Sequence, residues 1–180
     1  MTEQLIHIKD LSFRPFITKE EIAHKVSELG QKISEDYEGE RPLIIAILNG
    51  AFIFAADLMR AINIECEITF VKLASYEGTN STGNVKTMIG MDKDLSTRKV
   101  IIVEDIVDTG KTLFEFLPTL KEKNPVSIAI ATLLFKSEEL KYPLELDYVG
   151  FDIPSKFVVG YGLDYDSLGR ELDAIYQLAE

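Results

Sequence analysis

From Lys99 to Leu113 the chain reads KVIIVEDIVDTGKTL, a stretch that leaves few ways to fold. Val100, Ile101, Ile102 and Val103 are β-branched and consecutive, with no polar face to turn toward water, so they suit a parallel strand covered on both sides. Thr112 to Lys123 then reads as a helix whose apolar positions are Leu113, Phe116, Leu117 and Leu120. Between strand and helix lie Glu104, Asp105, Asp108, Thr109, Gly110 and Thr112. In open α/β sheets, ligands collect beyond the carboxyl ends of strands, where amides at the next helix N-terminus favour an anion. Asp108 to Thr112 therefore reads as a phosphate cradle flanked by carboxylates.

The triplet Gly110-Lys111-Thr112 invites a nucleoside-triphosphatase reading, but the spacing argues against it. A P-loop needs glycine five positions before the GK pair, and Asp105 stands there, a carboxylate that would repel a triphosphate. The crowded Glu104, Asp105 and Asp108 would raise one another's pKa unless a cation or hydroxyl donors compensate them, which points to a ligand.

The rest of the chain repeats the strand-helix alternation. Thr18 and Glu21 have the form of a capping box, followed by Ile22, Val26, Leu29 and Ile33 at helical spacing. Leu43 to Leu48 is an apolar strand, Asn49-Gly50 a turn, and Phe52 to Ile62 an apolar helix. Glu67 to Ser75 reads as a strand, Glu77 to Asn84 as a polar glycine-containing loop, and Val85 to Met91 as its return arm. Ser127 to Phe135, Tyr148 to Ile153 and Phe157 to Tyr161 complete the strands. The expected fold is α/β, with a mainly parallel sheet flanked by helices.

At 180 residues and 46% hydrophobic content, residues 1–180 form one expected domain, able to bury about 70% of its unfolded surface. Thirty acidic against 19 basic residues give a net charge of −11, so the electrostatic attraction behind nonspecific nucleic-acid binding is missing. A nucleotide carried with magnesium remains compatible. Cys66 has no partner for an internal disulfide, and MTEQLIHIKD lacks a basic start and an apolar core, so a reducing, cytoplasmic location is expected. No apolar run approaches the ~20 residues needed to cross a bilayer. His7 and His24 stand apart from any Cys/His cluster, so no zinc site is implied.

VIIVEDIVDTGKT and the later run KFVVGYGLDYD resemble the type I phosphoribosyltransferases, and specifically the hypoxanthine-guanine phosphoribosyltransferases, over about Leu43 to Arg170. The resemblance implies a small hood over the sheet, a mobile lid loop and, as partners, phosphoribosyl pyrophosphate, hypoxanthine and guanine, with IMP or GMP as product. It also implies magnesium (Mg²⁺) as cofactor and a homodimer or homotetramer. Neither nucleic acid nor membrane is an expected partner. A xanthine-preferring transferase, and an RNA-binding regulator on the same fold, stand as alternatives.

Residue roles carry over position by position. The resemblance implies that Glu104 and Asp105 hold the ribose hydroxyls and help to place magnesium, and that Asp108 accepts the purine N7 proton. Thr109, Gly110, Lys111 and Thr112 would wrap the 5′-phosphate. Asn49 and Gly50 correspond to a short pyrophosphate loop that has a cis peptide bond in the family. Many relatives carry lysine where this chain has Asn49, which leaves Gly50 and the main chain as the pyrophosphate donors. Arg170 would also reach pyrophosphate. Lys136 would donate to the purine O6, Phe157 stack on the base, and the Val158 main chain bond its edge. Asp164 would lie near a second magnesium and the purine. Ser75 and Tyr76 would belong to the lid, which keeps water from an oxocarbenium-like centre.

Overall fold

The computed structural model describes residues 5–74, 86–89 and 93–179. In chain order its elements are β1 (Ile6–Ile8), β2 (Leu11–Ile17), α1 (Lys19–Asp36), β3 (Leu43–Leu48), α2 (Phe52–Ala61), β4 (Glu67–Ala74), β5 (Lys86–Ile89), β6 (Lys99–Val107), α3 (Lys111–Lys121), β7 (Ser127–Phe135), β8 (Tyr148–Asp152), β9 (Val158–Val159) and β10 (Ile175–Leu178). The larger sheet runs β5-β4-β3-β6-β7-β8. Five of its strands are parallel, and β5 returns antiparallel on β4.

Why the central strands are apolar throughout is visible in where alternate residues go. Ile44 and Ala46 of β3, with Ile101 and Val103 of β6, pack into a core shared with α1 and α2. Leu43, Ile45 and Ile47, with Val100 and Ile102, face the opposite way, onto Leu113, Phe116 and Leu120 of α3. A strand with helices on both faces has no solvated side to make polar. The capping box at Thr18 is present: its hydroxyl accepts from Glu21 N–H at 3.2 Å, and Glu21 Oε2 accepts from Thr18 N–H at 2.8 Å.

β3 hydrogen-bonds β4 on one side and β6 on the other; the chain leaves β3 through α2 toward β4 and leaves β6 through α3 toward β7, in opposite directions across the sheet. That is the topological switch point, the place where such sheets open a crevice at the strand carboxyl ends. Asn49-Gly50 and the Asp105-to-Thr112 segment both end there.

Several boundaries differ from the sequence reading. β6 continues to Val107, so Glu104 and Asp105 are strand residues instead of following the strand. Ladder bonding to β7 as far as Val107↔Phe135 extends it, something apolar patterning does not register. α3 spans Lys111–Lys121, where 112–123 was expected. The expected strand Phe157 to Tyr161 shrinks to β9, because Gly160, Tyr161 and Gly162 all have positive φ (100°, 51° and 100°). The hood is a second sheet, β1-β2-β10-β9, wholly antiparallel. Its strands β1, β2 and β10 carried no readable strand signal. Ser75, Tyr76 and the residues 77–84 of the expected lid loop lie outside the described residues.

Candidate active site

The turn after β6 is built by one glycine and buttressed from a distance. Gly110 caps α3 with φ 81°, a left-handed conformation that costs L side chains roughly 1 kcal/mol and glycine almost nothing. A methyl there would also sit 2.8–2.9 Å from Leu144 and Leu140 Cδ1. The Thr109 carbonyl accepts from the N–H groups of Lys141 and Tyr142 at 3.0 and 3.1 Å. The turn is thus held from behind, while the first amides of α3, which have no partner inside the helix, face its mouth. A cavity of about 100 Å³, lined by Glu104 and by residues 106–113, lies in front of them. That is room for about three waters, or one compact anion.

Acid placement around this cavity is uneven. Glu104 is 8% exposed, and its Oε1 accepts from the Asp105 N–H at 3.2 Å. Burial, and then the charge of Asp105, push the Glu104 carboxyl well above the ordinary glutamate range. Asp105 Oδ1 accepts from Ile106 N–H at 2.9 Å, and the Asp105 carboxylate lies so close to the Gly50 Cα that a methyl at Gly50 would overlap it. Asp108, half-exposed, accepts from the buried Lys136 ammonium at 3.0 Å.

Glu104 makes a testable statement about pH. Its folded pKa lies above its unfolded value, so the stability it contributes is present below about pH 4.5 and declines as pH rises through the folded pKa. Glu104→Gln should therefore flatten the pH dependence of ligand-free stability as the pH rises above about 4.5, where one proton changes the slope by up to about 1.4 kcal/mol per pH unit. Urea midpoints from pH 4 to 9 for both proteins check this; curves parallel over the whole range would contradict it.

The opposite wall comes from β3 and the chain after β9. Leu48-Asn49 is a cis peptide bond, Asn49 is exposed and Gly50 buried. Gly162 packs on the Gly50 carbonyl so closely that a methyl at Gly162 would overlap it. Arg170 donates to the Gly162 carbonyl at 2.5 Å and pairs with Asp164 at 2.6 Å. Asp164 also accepts from Ser167 N–H at 2.7 Å. The hood supplies an aromatic shelf: Phe157, 44% exposed, lies 6.1 Å from the Phe13 ring and 6.0 Å, edge-on, from Tyr165.

Of the sequence-derived residues, Glu104 and Asp108 through Thr112 line one cavity, and Lys136 joins them through Asp108. Asp164 and Arg170 pair with each other beside Gly162, which touches Gly50. Lys111 points along α3 toward Glu115, 3.8 Å away. Among the described residues, no three Asp, Glu, His or Cys side chains converge on a cation position, so Glu104, Asp105 and Asp164 do not form a protein cage. Hard oxygen donors of this kind still suit Mg²⁺, which takes one or two carboxylates and completes its shell with water and substrate oxygens. Cys66 sits 3.7 Å from Met59 sulfur, its thiol pushed up by burial, away from the site. Leu140, Tyr142 and Leu144 were missed. They brace the cradle from 30 residues downstream, and no local pattern marks them.

A larger cavity, about 600 Å³, opens between α1, α2 and residues 171–173. It is mostly apolar and has no turn of amides, so the smaller one is the better anion site.

The acid-flanked amide turn at the switch point of a parallel sheet suits an anion, and the exposed Phe157 of the hood suits a flat ring. The model of the phosphoribosyl transferase domain matches residues 17–166. Hypoxanthine phosphoribosyltransferase of Buchnera aphidicola is 44% identical over 167 residues, which are 91% of this chain and 94% of that protein. Hypoxanthine-guanine phosphoribosyltransferase of Mycobacterium bovis is 42% identical over 166 residues, 88% of this chain and 82% of that one. The crystal structure of a hypoxanthine phosphoribosyltransferase from Staphylococcus aureus superposes with a TM-score of 0.87 at 38% identity, covering 92% of this chain and 91% of that chain. The chain belongs to the phosphoribosyltransferase family, in its hypoxanthine-guanine branch, and is a pentosyltransferase. Among the described residues no helix is long and apolar enough to cross a membrane.

Proposed function

We propose that this site transfers the 5-phosphoribosyl group of phosphoribosyl pyrophosphate to N9 of hypoxanthine, and of guanine, giving IMP or GMP and pyrophosphate in purine salvage. One observation carries the reading: Asp108, an acceptor, and Lys136, a donor, lie 3.0 Å apart just beyond the paired ends of β6 and β7. A 6-oxopurine presents the complementary pair on one edge, an N7 proton and an O6 acceptor. Adenine would bring its amino donor against the Lys136 ammonium. The relatives named above act on hypoxanthine, which leaves the xanthine-preferring and RNA-binding alternatives without support.

In this reading the amides and hydroxyls of Thr109 to Thr112 hold the 5′-phosphate, while Glu104 and Asp105 accept from the ribose hydroxyls. Gly50, the main chain at Asn49 and Arg170 face the pyrophosphate. The N9 lone pair forms the bond to C1′ as the C1′–O bond breaks, pyrophosphate departs with the electron pair, and the N7 proton passes to Asp108. Phe157 stacks on the base, an interaction worth ~1 to 3 kcal/mol, with the Val158 main chain at its edge. Magnesium, bound with phosphoribosyl pyrophosphate and the carboxylates of Glu104, Asp105 and Asp164, would neutralise charge on the leaving pyrophosphate. Ser75 and Tyr76 belong to the proposed lid. A cytoplasmic location and self-association into a dimer or tetramer complete the reading; sedimentation velocity tests the latter.

Turnover with hypoxanthine, guanine, xanthine and adenine, each with phosphoribosyl pyrophosphate and magnesium, tests the substrate assignment directly. Hypoxanthine and guanine should react and adenine should not. Lys136→Ala should raise the KM for hypoxanthine about 10- to 100-fold, the worth of one hydrogen bond from a charged donor. Equal turnover of adenine, or an unchanged KM in that variant, would sink the assignment.

A further inference from the structure

We propose that Tyr161, through its hydrogen bond to Asp57, is a positioning residue that fixes the Asp164–Arg170 wall against the Asn49-Gly50 loop; this rests on the pyrophosphate-side reading given above. The Tyr161 hydroxyl donates to Asp57 Oδ2 at 2.7 Å, and the other oxygen of Asp57 pairs with Arg60 at 2.7 Å. Asp57 belongs to α2, whose first residue, Phe52, is two positions beyond Gly50. One rigid helix therefore carries the Asn49-Gly50 loop at its start and the anchor for Tyr161 farther along.

Tyr161 sits in the middle of a run that side chains seldom allow. Gly160, Tyr161 and Gly162 are all left-handed, and Tyr161 alone among them bears a side chain to hold the run in place. Its N–H donates to the Leu172 carbonyl at 2.8 Å, and the Gly162 N–H to the Arg170 carbonyl at 3.0 Å. The Arg170 guanidinium closes the circuit on the Gly162 carbonyl. Two ties thus join the walls: Gly162 against the Gly50 carbonyl, and Tyr161 against Asp57. The Tyr161 ring is buried in the core shared with α1 and α2, and it also lines the 600 Å³ cavity between them. Packing holds the ring, and the hydroxyl bond adds a directional tie from that ring to α2. That bond is absent from the cradle and from the base shelf, so its loss should be felt on one substrate.

The test is steady-state kinetics and thermal melting of Tyr161→Phe, Asp57→Ala, the double variant and Asp164→Asn. Each single change at the pair should raise the KM for phosphoribosyl pyrophosphate about three- to tenfold, the value of one hydrogen bond. The KM for hypoxanthine should stay within error, and the double variant should be no worse than the poorer single one. A parallel rise in both KM values that tracks a lower Tm would make the bond merely structural and overturn the proposal. If Asp164→Asn raises the KM for phosphoribosyl pyrophosphate and Tyr161→Phe does not, the proposal fails alone. If neither moves it, the reading of that wall fails and takes the proposal with it.

Discussion

Asp108→Asn is expected to lower kcat about 10²- to 10⁴-fold, the usual worth of positioned proton transfer, and to leave the fold intact. Asparagine keeps the size of the side chain and one oxygen that can accept from Lys136, but it cannot take up the N7 proton. Asp108 is half-exposed and lies past the end of β6, so the change opens no cavity, and the buried Lys136 ammonium keeps a neutral oxygen in place of its charged partner. Single-turnover rates with hypoxanthine, alongside circular dichroism, separate chemistry from folding. A kcat within about twofold of the parent would remove Asp108 from the role of base, and another acceptor would have to be found near N7.

Gly162→Ala should be strongly disruptive. Its backbone has φ 100°, and an added Cβ would overlap the Gly50 carbonyl oxygen, a main-chain atom with nowhere to go. Left-handed strain and overpacking each cost roughly 1 to 3 kcal/mol, so a loss of about 3 kcal/mol in unfolding free energy is expected, with weaker binding of phosphoribosyl pyrophosphate. Urea denaturation reads the first and the KM the second. A loss below about 1 kcal/mol would mean that the two loops are free to part. The same substitution at Gly39, where nothing lies within 4 Å of the added methyl, carries the left-handed strain of φ 76° but no overlap.

The contrast between what local patterning reveals and what it hides follows from which forces act along the chain. β3, β6 and β7 were legible because burial on both faces demands unbroken apolar runs, and α1 because its cap and its stripe repeat every turn. The cradle was legible for a related reason: a glycine turn between strand and helix can be read within a dozen residues. β10 could not be read that way. Ile175–Leu178 is a strand because β2 and β9 lie on either side of it, and β2 is some 160 residues upstream. Tyr161 and Asp57 are likewise 104 residues apart. The sequence places Lys136 at a strand end, yet only the fold sets it against Asp108.

The chain between β7 and β8 bears on how the enzyme could be altered. Residues 140–147 form neither helix nor strand, which ordinarily marks ground where a tag or a grafted peptide is tolerated. Here Leu140 and Leu144 close over Gly110, and the amides of Lys141 and Tyr142 grip Thr109. A graft in that segment would loosen the Thr109-Gly110 turn, the proposed 5′-phosphate site, while leaving every regular element whole. Gly39, exposed after the end of α1 with nothing within 4 Å of an added methyl, is the more permissive place to cut and splice.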